Sequence, residues 1–154
     1  MKYVILDNIR SAHNVGSIFR TSDGAGVSKI FLVGVTPWPT DRFGRKQPEI
    51  AKTSLGAADI VPWEQVSNDD AVLLVRRLRG EGVTVAAVEQ TSNSVALDDF
   101  QAPENVAYIL GNEVDGVSDA LIKESDMVVE IPMVGEKESL NVSVAAGIAL
   151  FKKS

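Results

Sequence analysis

The 154-residue sequence predicts an α/β fold, a mostly parallel sheet with helices on both faces. Three observations lead there. Short runs of Val, Ile, Leu and Ala recur along the chain, and helix-like segments lie between them. The runs are nearly continuous rather than alternating, as strands covered on both faces require. No repeat, low-complexity tract or Ser/Gly linker interrupts the pattern, so residues 1–154 read as a single domain.

In chain order, residues 3–6 form the first expected strand. Val15, Ile18, Phe19 and Ser22 follow with i, i+3, i+4, i+7 spacing, one face of a helix. Residues 30–33 are a second strand and residues 59–62 a weaker one. Ala71, Leu74, Val75 and Leu78 make the next helical stripe, with Asn68 or Asp69 as N-cap and Gly80 as the stop. Strands follow at 83–88, 106–110 and 127–131. Leu140, Val144, Ile148 and Phe151 form the stripe of a last helix, capped by Ser139, with Lys152 and Lys153 at the negative end of its dipole. Segment 34–48 is a long loop holding three of the six prolines together with Trp38 and Phe43. Loops of that length inside a compact domain usually carry function.

Composition narrows the classes. Hydrophobic residues make up 45% and charged residues 23%, as in ordinary globular proteins. With no cysteine, disulfides and thiolate metal sites are excluded, and no metal is expected. No apolar stretch approaches the roughly 20 residues of a membrane span, and the N-terminal apolar run is too short for a signal peptide. The cytoplasm is the expected location. The net charge of −6 conceals a split: residues 1–54 carry eight Lys and Arg against four acids, the remainder seven against seventeen. Phosphate binding depends on local basic groups, so the first third qualifies as a nucleic-acid face; an unevenly charged solvated surface explains the split equally well.

Three segments carry chemistry. The first, Asn8 to Ser22, puts polar groups after a strand and at a helix start, where free N–H groups favour anions. Gly16 lies one turn before Arg20 and leaves the guanidinium unhindered; plain capping with a surface arginine is the alternative. The second runs from Ile109 to Ser118, a strand entering a turn with Gly111 and Gly116, which allow close approach to a ligand. The third, Ile131 to Gly147, joins an irregular loop to a helix with polar Asn141 and Ser143 near its start. Its small Ala145, Ala146 and Gly147 imply a close helix pair. Neither GxGxxG nor GxxxxGK[ST] occurs, which disfavours a dinucleotide or nucleotide enzyme. His13 is the sole histidine, either a general base or a plain surface residue.

Together these segments resemble the SpoU/TrmH-type branch of the SPOUT RNA methyltransferases. The first matching motif is Asn14-Val-Gly16-Ser-Ile-Phe-Arg20-Thr21 and the second is Leu110-Gly-Asn-Glu113 with Gly116 and Ser118. The third is Ile131-Pro-Met133 through Ser139-Leu140-Asn141-Val-Ser143, and Thr53-Ser-Leu-Gly-Ala57 is also similar to the family. The resemblance covers essentially the whole chain. It implies a C-terminal deep trefoil knot, despite the rarity of knots, and a single SPOUT catalytic domain without a separate RNA-binding extension. It also implies a homodimer and S-adenosylmethionine as cofactor. The expected activity is methyl transfer to a ribose 2′-hydroxyl of RNA, with transfer RNA favoured over ribosomal RNA; a catalytically silent RNA-binding protein of the same fold is the rival.

Carried over residue by residue, the resemblance points to Glu89, Leu110, Gly111, Gly116, Ile131, Met133, Ser139 and Leu140 as cofactor-binding. Arg20, Asn14, Glu113, Ser139 and Asn141 become the catalytic set. Relatives are proposed to use the arginine matching Arg20 as the base; since an arginine pKa exceeds about 12, orienting the phosphate and stabilising the developing alkoxide suit it better. Arg10, Arg42, Arg45, Lys46 and Lys52 are the expected RNA face. Trp38 or Phe43 either stacks on an unpaired base or, for Trp38, packs at a subunit interface.

Overall fold

Successive residues of the first strand enter two different cores: Val4 and Leu6 point to one face of the sheet and Ile5 to the other. The structure, a computed structural model, describes residues 1–153. Its strands are β1 (Lys2–Asp7), β2 (Lys29–Val33), β3 (Trp63–Val66), β4 (Thr84–Val88), β5 (Val95–Ala96), β6 (Val106–Gly111) and β7 (Met127–Glu130). They form one sheet in the order β3-β2-β1-β6-β4-β7-β5, parallel at every pairing. The helices are α1 (Ala12–Gly24), α2 (Pro48–Ser54), α3 (Ala71–Gly80), α4 (Asp119–Glu124) and α5 (Val142–Leu150). The core on one face holds Val15, Ile18 and Phe19 of α1, Ile50 of α2 and Ala146, Ala149 and Leu150 of α5. The opposite core holds Leu74, Val75 and Leu78 of α3 and Leu121 of α4. The continuous apolar runs thus serve a sheet covered on both sides.

The structure corrects several local expectations. The weak strand lies at Trp63–Val66, not 59–62; residues Ala57–Asp59 instead form a 3₁₀ turn. Pro48, expected as the last residue of the long loop, instead opens a helix over Pro48–Ser54, occupying its first turn with Gln47 as the cap. Helix α3 is preceded by a 3₁₀ turn over Asn68–Asp70, and Ser67, not Asn68 or Asp69, accepts the Asp70 N–H. The last helix starts two residues later than expected. Asn141 is its N-cap, accepting from the Ser143 N–H at 2.9 Å, and Ser139 lies outside it.

The stripe of α5 is also reversed. Val142, Ala146, Ala149 and Leu150 face the core, whereas Val144, Ile148 and Phe151 are 49%, 42% and 59% exposed. Half-buried Gly147 faces α1, where a Cβ would make an ordinary contact of 3.7 Å with Thr21 Cγ2. At the C-terminus of α5 the Lys2 ammonium, not Lys152 or Lys153, donates to the Leu150 carbonyl at 2.7 Å. Lys152 reaches the Asp98 carbonyl instead.

Gly16 has a different purpose from the one its position suggests. A Cβ there would collide with Thr53 Oγ1 and stand 2.9 Å from the Ile50 carbonyl, so the glycine lets α1 and α2 touch. Of the arginines on α3, Arg76 pairs with Glu124 at 2.9 Å and Arg79 with Asp126 at 2.9 Å, tying the solvated side of α3 to α4 and to the residue that precedes β7. Among the described residues no helix is long and apolar enough to cross a membrane.

Candidate functional site

The carboxyl ends of β4, β6 and β7 meet at a cavity of about 470 Å³. Val88, Glu89 and Gln90 line it from the end of β4, and Leu110 to Val114 with Gly116 from the end of β6. Glu130, Ile131 and Met133 follow from β7, and Glu138 to Val142 with Ala145 close the rim. All eight residues expected to bind cofactor lie on this wall: Glu89, Leu110, Gly111, Gly116, Ile131, Met133, Ser139 and Leu140. So do Glu113 and Asn141 of the expected catalytic set. Motif spacing did not single out Val88, Gln90, Glu130 or Glu138. Their signal is positional, since each adjoins a strand end or a motif residue.

The two glycines of the second motif serve the protein's own backbone. A Cβ on Gly111 would overlap Gly116 C and Val117 N, so the turn after β6 folds back on its own strand. Asn112 and Gly116 exchange backbone hydrogen bonds of 3.0 and 2.9 Å, and the Asn112 side-chain oxygen accepts from the N–H groups of Val114 and Asp115. Gly116 has a φ of +73°, and a Cβ on it would meet the Glu89 carboxylate at 2.7 Å. The carboxylate therefore rests directly against the turn, with the Val117 N–H at 3.4 Å.

A hydrogen-bonded chain leads from this rim to the start of α1. The Ser143 N–H and hydroxyl donate to the Asn141 side-chain oxygen, and the Asn141 amide donates to Asn14 Oδ1 at 3.4 Å. The Asn14 amide donates to Glu113 at 3.3 Å. Glu113 also accepts from the backbone N–H groups of Arg10 and Ser11, each at 3.0 Å, so it lies at the positive end of α1. Partial burial pushes its carboxyl up. The N–H groups of Arg10, Glu113 itself and Ser11, with the Asn14 amide, outweigh that and hold it below the ordinary glutamate value. Asn14, Glu113 and Asn141 thus form one fixed constellation, with Ser139 on the same wall.

Asn8 joins a further set of groups. It has a left-handed backbone (φ 57°), its amide donates to Asp7 Oδ1 at 2.9 Å and Asn68 Oδ1 at 2.8 Å, and its side-chain oxygen accepts from the Val35 N–H at 3.0 Å. Its carbonyl accepts from the Asn112 amide at 2.8 Å. Buried Asp7 in turn accepts from the Ser118 N–H at 2.8 Å. The loop after β2 and the turn after β6 are thereby tied to one residue pair.

Arg20 is not part of this constellation. It lies six residues beyond Asn14 on α1, roughly 9 Å along the axis, and is exposed in a separate hollow of about 420 Å³ lined by Ser17, Thr21, Gly24, Thr53 and Phe151. His13 is exposed and has no hydrogen-bonded carboxylate among the described residues. Of the expected RNA face, Arg10 neighbours Glu113 through its backbone, and Lys52 lies on α2. Arg42, Arg45 and Lys46 share the loop after β2, where Arg45 pairs with Asp41 at 2.7 Å and Lys46 with Asp59 at 3.1 Å.

The walls of the cavity combine apolar Val88, Leu110, Ile131, Met133 and Leu140 with the carboxylates of Glu89, Glu130 and Glu138. That set suits a ligand with a flat apolar part and positive charge.

Comparison with known proteins agrees with this geometry. The SpoU rRNA Methylase family matches residues 1–151. Over 147 residues the chain is 35% identical to a 23S rRNA (guanosine-2'-O-)-methyltransferase RlmB of Neisseria meningitidis, covering 96% of this chain and 55% of the relative. An AdoMet-bound rRNA methyltransferase from Sinorhizobium meliloti superposes with a TM-score of 0.83 at 34% identity, over 97% of this chain and 54% of the other. A TrmH/SpoU tRNA modifying enzyme of A. aeolicus gives a TM-score of 0.83 at 28% identity, over 97% and 72%. The chain spans about half the length of the curated relatives it matches. With the parallel sheet, the three motifs and the cavity that the second and third of them line, these matches make the chain a member of the SpoU rRNA Methylase family.

Proposed function

We propose that this chain transfers a methyl group from S-adenosylmethionine to a ribose 2′-hydroxyl of RNA in the cytoplasm. Residues 1–154 are its catalytic domain, knotted near the C-terminus and working as a homodimer. The observation that carries this reading is the convergence of all eight expected cofactor residues on one acid-lined cavity. The cofactor is cationic at its sulfonium and amine, and it supplies an already activated methyl group. Glu89, Glu130 and Glu138 offer acceptors for those two cationic groups, while Leu110, Ile131, Met133 and Leu140 supply an apolar wall for the adenine.

The remaining work is alignment. Holding a 2′-oxygen in line with the methyl group is worth several kcal/mol. Asn141, Asn14 and Glu113 are hydrogen-bonded into one array beside the cavity, so their polar groups are in place before RNA arrives. Arg20 orients the phosphate and stabilises the developing alkoxide. Because it lies in a hollow apart from the cavity, it acts in the cavity of a second copy. The exposed stripe of Val144, Ile148 and Phe151 on α5 supports that dimer, since Phe151 also borders the Arg20 hollow.

Ribosomal RNA is the first substrate to test, because relatives at about a third identity are named for 23S rRNA guanosine. Transfer RNA, the expectation from sequence, is the second and is favoured by the A. aeolicus tRNA modifying enzyme. Calorimetry with S-adenosylhomocysteine, NAD and ATP tests the cofactor: the first binds and the others do not. Absence of S-adenosylhomocysteine binding overturns the proposal. Arg20→Ala abolishes methyl transfer to cellular RNA and leaves S-adenosylhomocysteine affinity intact; loss of that affinity would mean Arg20 acts on the cofactor instead.

A further inference from the structure

Within the loop after β2, residues 41–45 form a built turn. The Asp41 N–H donates to the Arg45 carbonyl at 2.9 Å and the Gly44 N–H to the Asp41 carbonyl at 3.0 Å. The Asp41 carboxylate accepts from the Phe43 N–H at 2.8 Å, the Arg45 N–H at 3.0 Å and Arg45 Nε at 2.7 Å. Thr40 and Lys46 bridge antiparallel beneath it, and Gly44 supplies the left-handed residue (φ +78°) that the reversal needs. Phe43 stands in this turn 68% exposed and belongs to neither core. The guanidinium carbons of Arg42 and Arg45 lie 4.9 and 5.1 Å from its ring centroid.

We infer that Phe43 is a stacking platform for an unpaired nucleobase of single-stranded RNA, with Arg42 taking the adjoining phosphate. This rests on the RNA methyltransferase reading above. An aromatic ring left in water forgoes the stabilisation of burial, and here the turn holds it outward through five hydrogen bonds. Base faces stack on rings and on guanidinium planes alike, and two arginines over one ring present both to a base that joins the stack. The turn is ordered before contact, so little conformational freedom is lost on binding. The charges divide unequally: Asp41 neutralises Arg45, whereas Arg42 has no carboxylate partner among the described residues. Trp38 fits the task less well. It is 39% exposed and forms the side of a hollow between 34–37 and 45–48 rather than the tip of the turn.

The test compares two polymers on the full chain: a twelve-nucleotide oligoadenylate, which has bases and phosphates, and inorganic polyphosphate, which has charge alone. Phe43→Leu weakens oligoadenylate binding about tenfold and leaves polyphosphate binding unchanged, while Phe43→Tyr keeps both. Arg42→Gln weakens both polymers and lowers the log–log salt slope for oligoadenylate by about 0.7. Wild-type oligoadenylate affinity in Phe43→Leu overturns the inference, as does an equal loss for both polymers. S-adenosylhomocysteine binding, measured on the same samples, separates the two levels. If it is normal while Phe43→Leu is silent, only the platform fails; if it is absent in the wild type, the methyltransferase reading fails.

Discussion

Replacing Glu113 with glutamine removes a charge from the start of α1 and disturbs the array beside the cavity at once. The carboxylate accepts three hydrogen bonds, from Arg10 N, Ser11 N and Asn14 Nδ2. Glutamine offers one acceptor oxygen, and its amide would face donors. A carboxylate at a helix N-terminus contributes about 0.3–1 kcal/mol in exposed settings, and Glu113 is exposed, so solvent screening keeps the loss to about 1 kcal/mol. For a domain of this size that lowers Tm by roughly 2–4 °C near neutral pH. The folded carboxyl titrates below its unfolded value, so its stabilisation is full above the ordinary glutamate pKa and is lost as pH falls through the lowered folded value. Thermal melts of wild type and Glu113→Gln across that range should therefore converge on acidification. A variant as stable as wild type at neutral pH, or a gap that persists in acid, would refute the electrostatic account of Glu113.

Two further variants test neighbouring features. Gly111→Ala forces a Cβ against the backbone of Gly116 and Val117, with the Gly116 carbonyl at 2.7 Å. The variant should lose about 1–3 kcal/mol of stability and bind S-adenosylhomocysteine at least tenfold more weakly by calorimetry; unchanged affinity would show that the turn after β6 does not shape the cavity. Ile148→Asp charges the exposed stripe of α5. Sedimentation should show dimer converting to monomer with loss of methyl transfer and retained S-adenosylhomocysteine binding, and a wild-type monomer would remove the basis for placing Arg20 in a second copy.

Strands were legible because burial on both faces writes itself as continuous Val, Ile and Ala, and five of the seven fall within a residue or so of expectation. Two-residue β5 has too few side chains to make a pattern, and β3 is half-exposed Trp63-Glu64-Gln65 before Val66. The stripe of α5 misled because period alone cannot tell a core face from an exposed apolar one. The small residues opposite it were the better guide, since Ala146 and Ala149 lie with Val142 and Leu150 on the buried face. In the cavity, the motifs marked residues that share one wall, whereas the array from Ser143 through Asn141 and Asn14 to Glu113 joins residues some 130 positions apart. Gly16 was read as clearance for Arg20, but its contacts are with α2, a helix the sequence pattern did not disclose.

The junction at Asn8 sets rules for anyone wishing to retarget this scaffold. One side chain fastens the first residue after Gly34, while the carbonyl of the same residue fastens Asn112 beside the cavity. A Cβ on Gly34 would displace that side chain by striking Asn8 Oδ1, with Asn68 Oδ1 2.7 Å away. At the far end of the loop the Gln47 N–H returns to the Pro39 carbonyl at 2.9 Å. The interchangeable portion therefore runs from 40 to 46, a cassette whose anchors stay with the host. Swapping it as a unit exchanges the exposed turn, and the proposed platform with it, without loosening the wall of the cavity. A longer graft that includes Gly34 would alter both at once, and its effects on recognition and on chemistry would be inseparable.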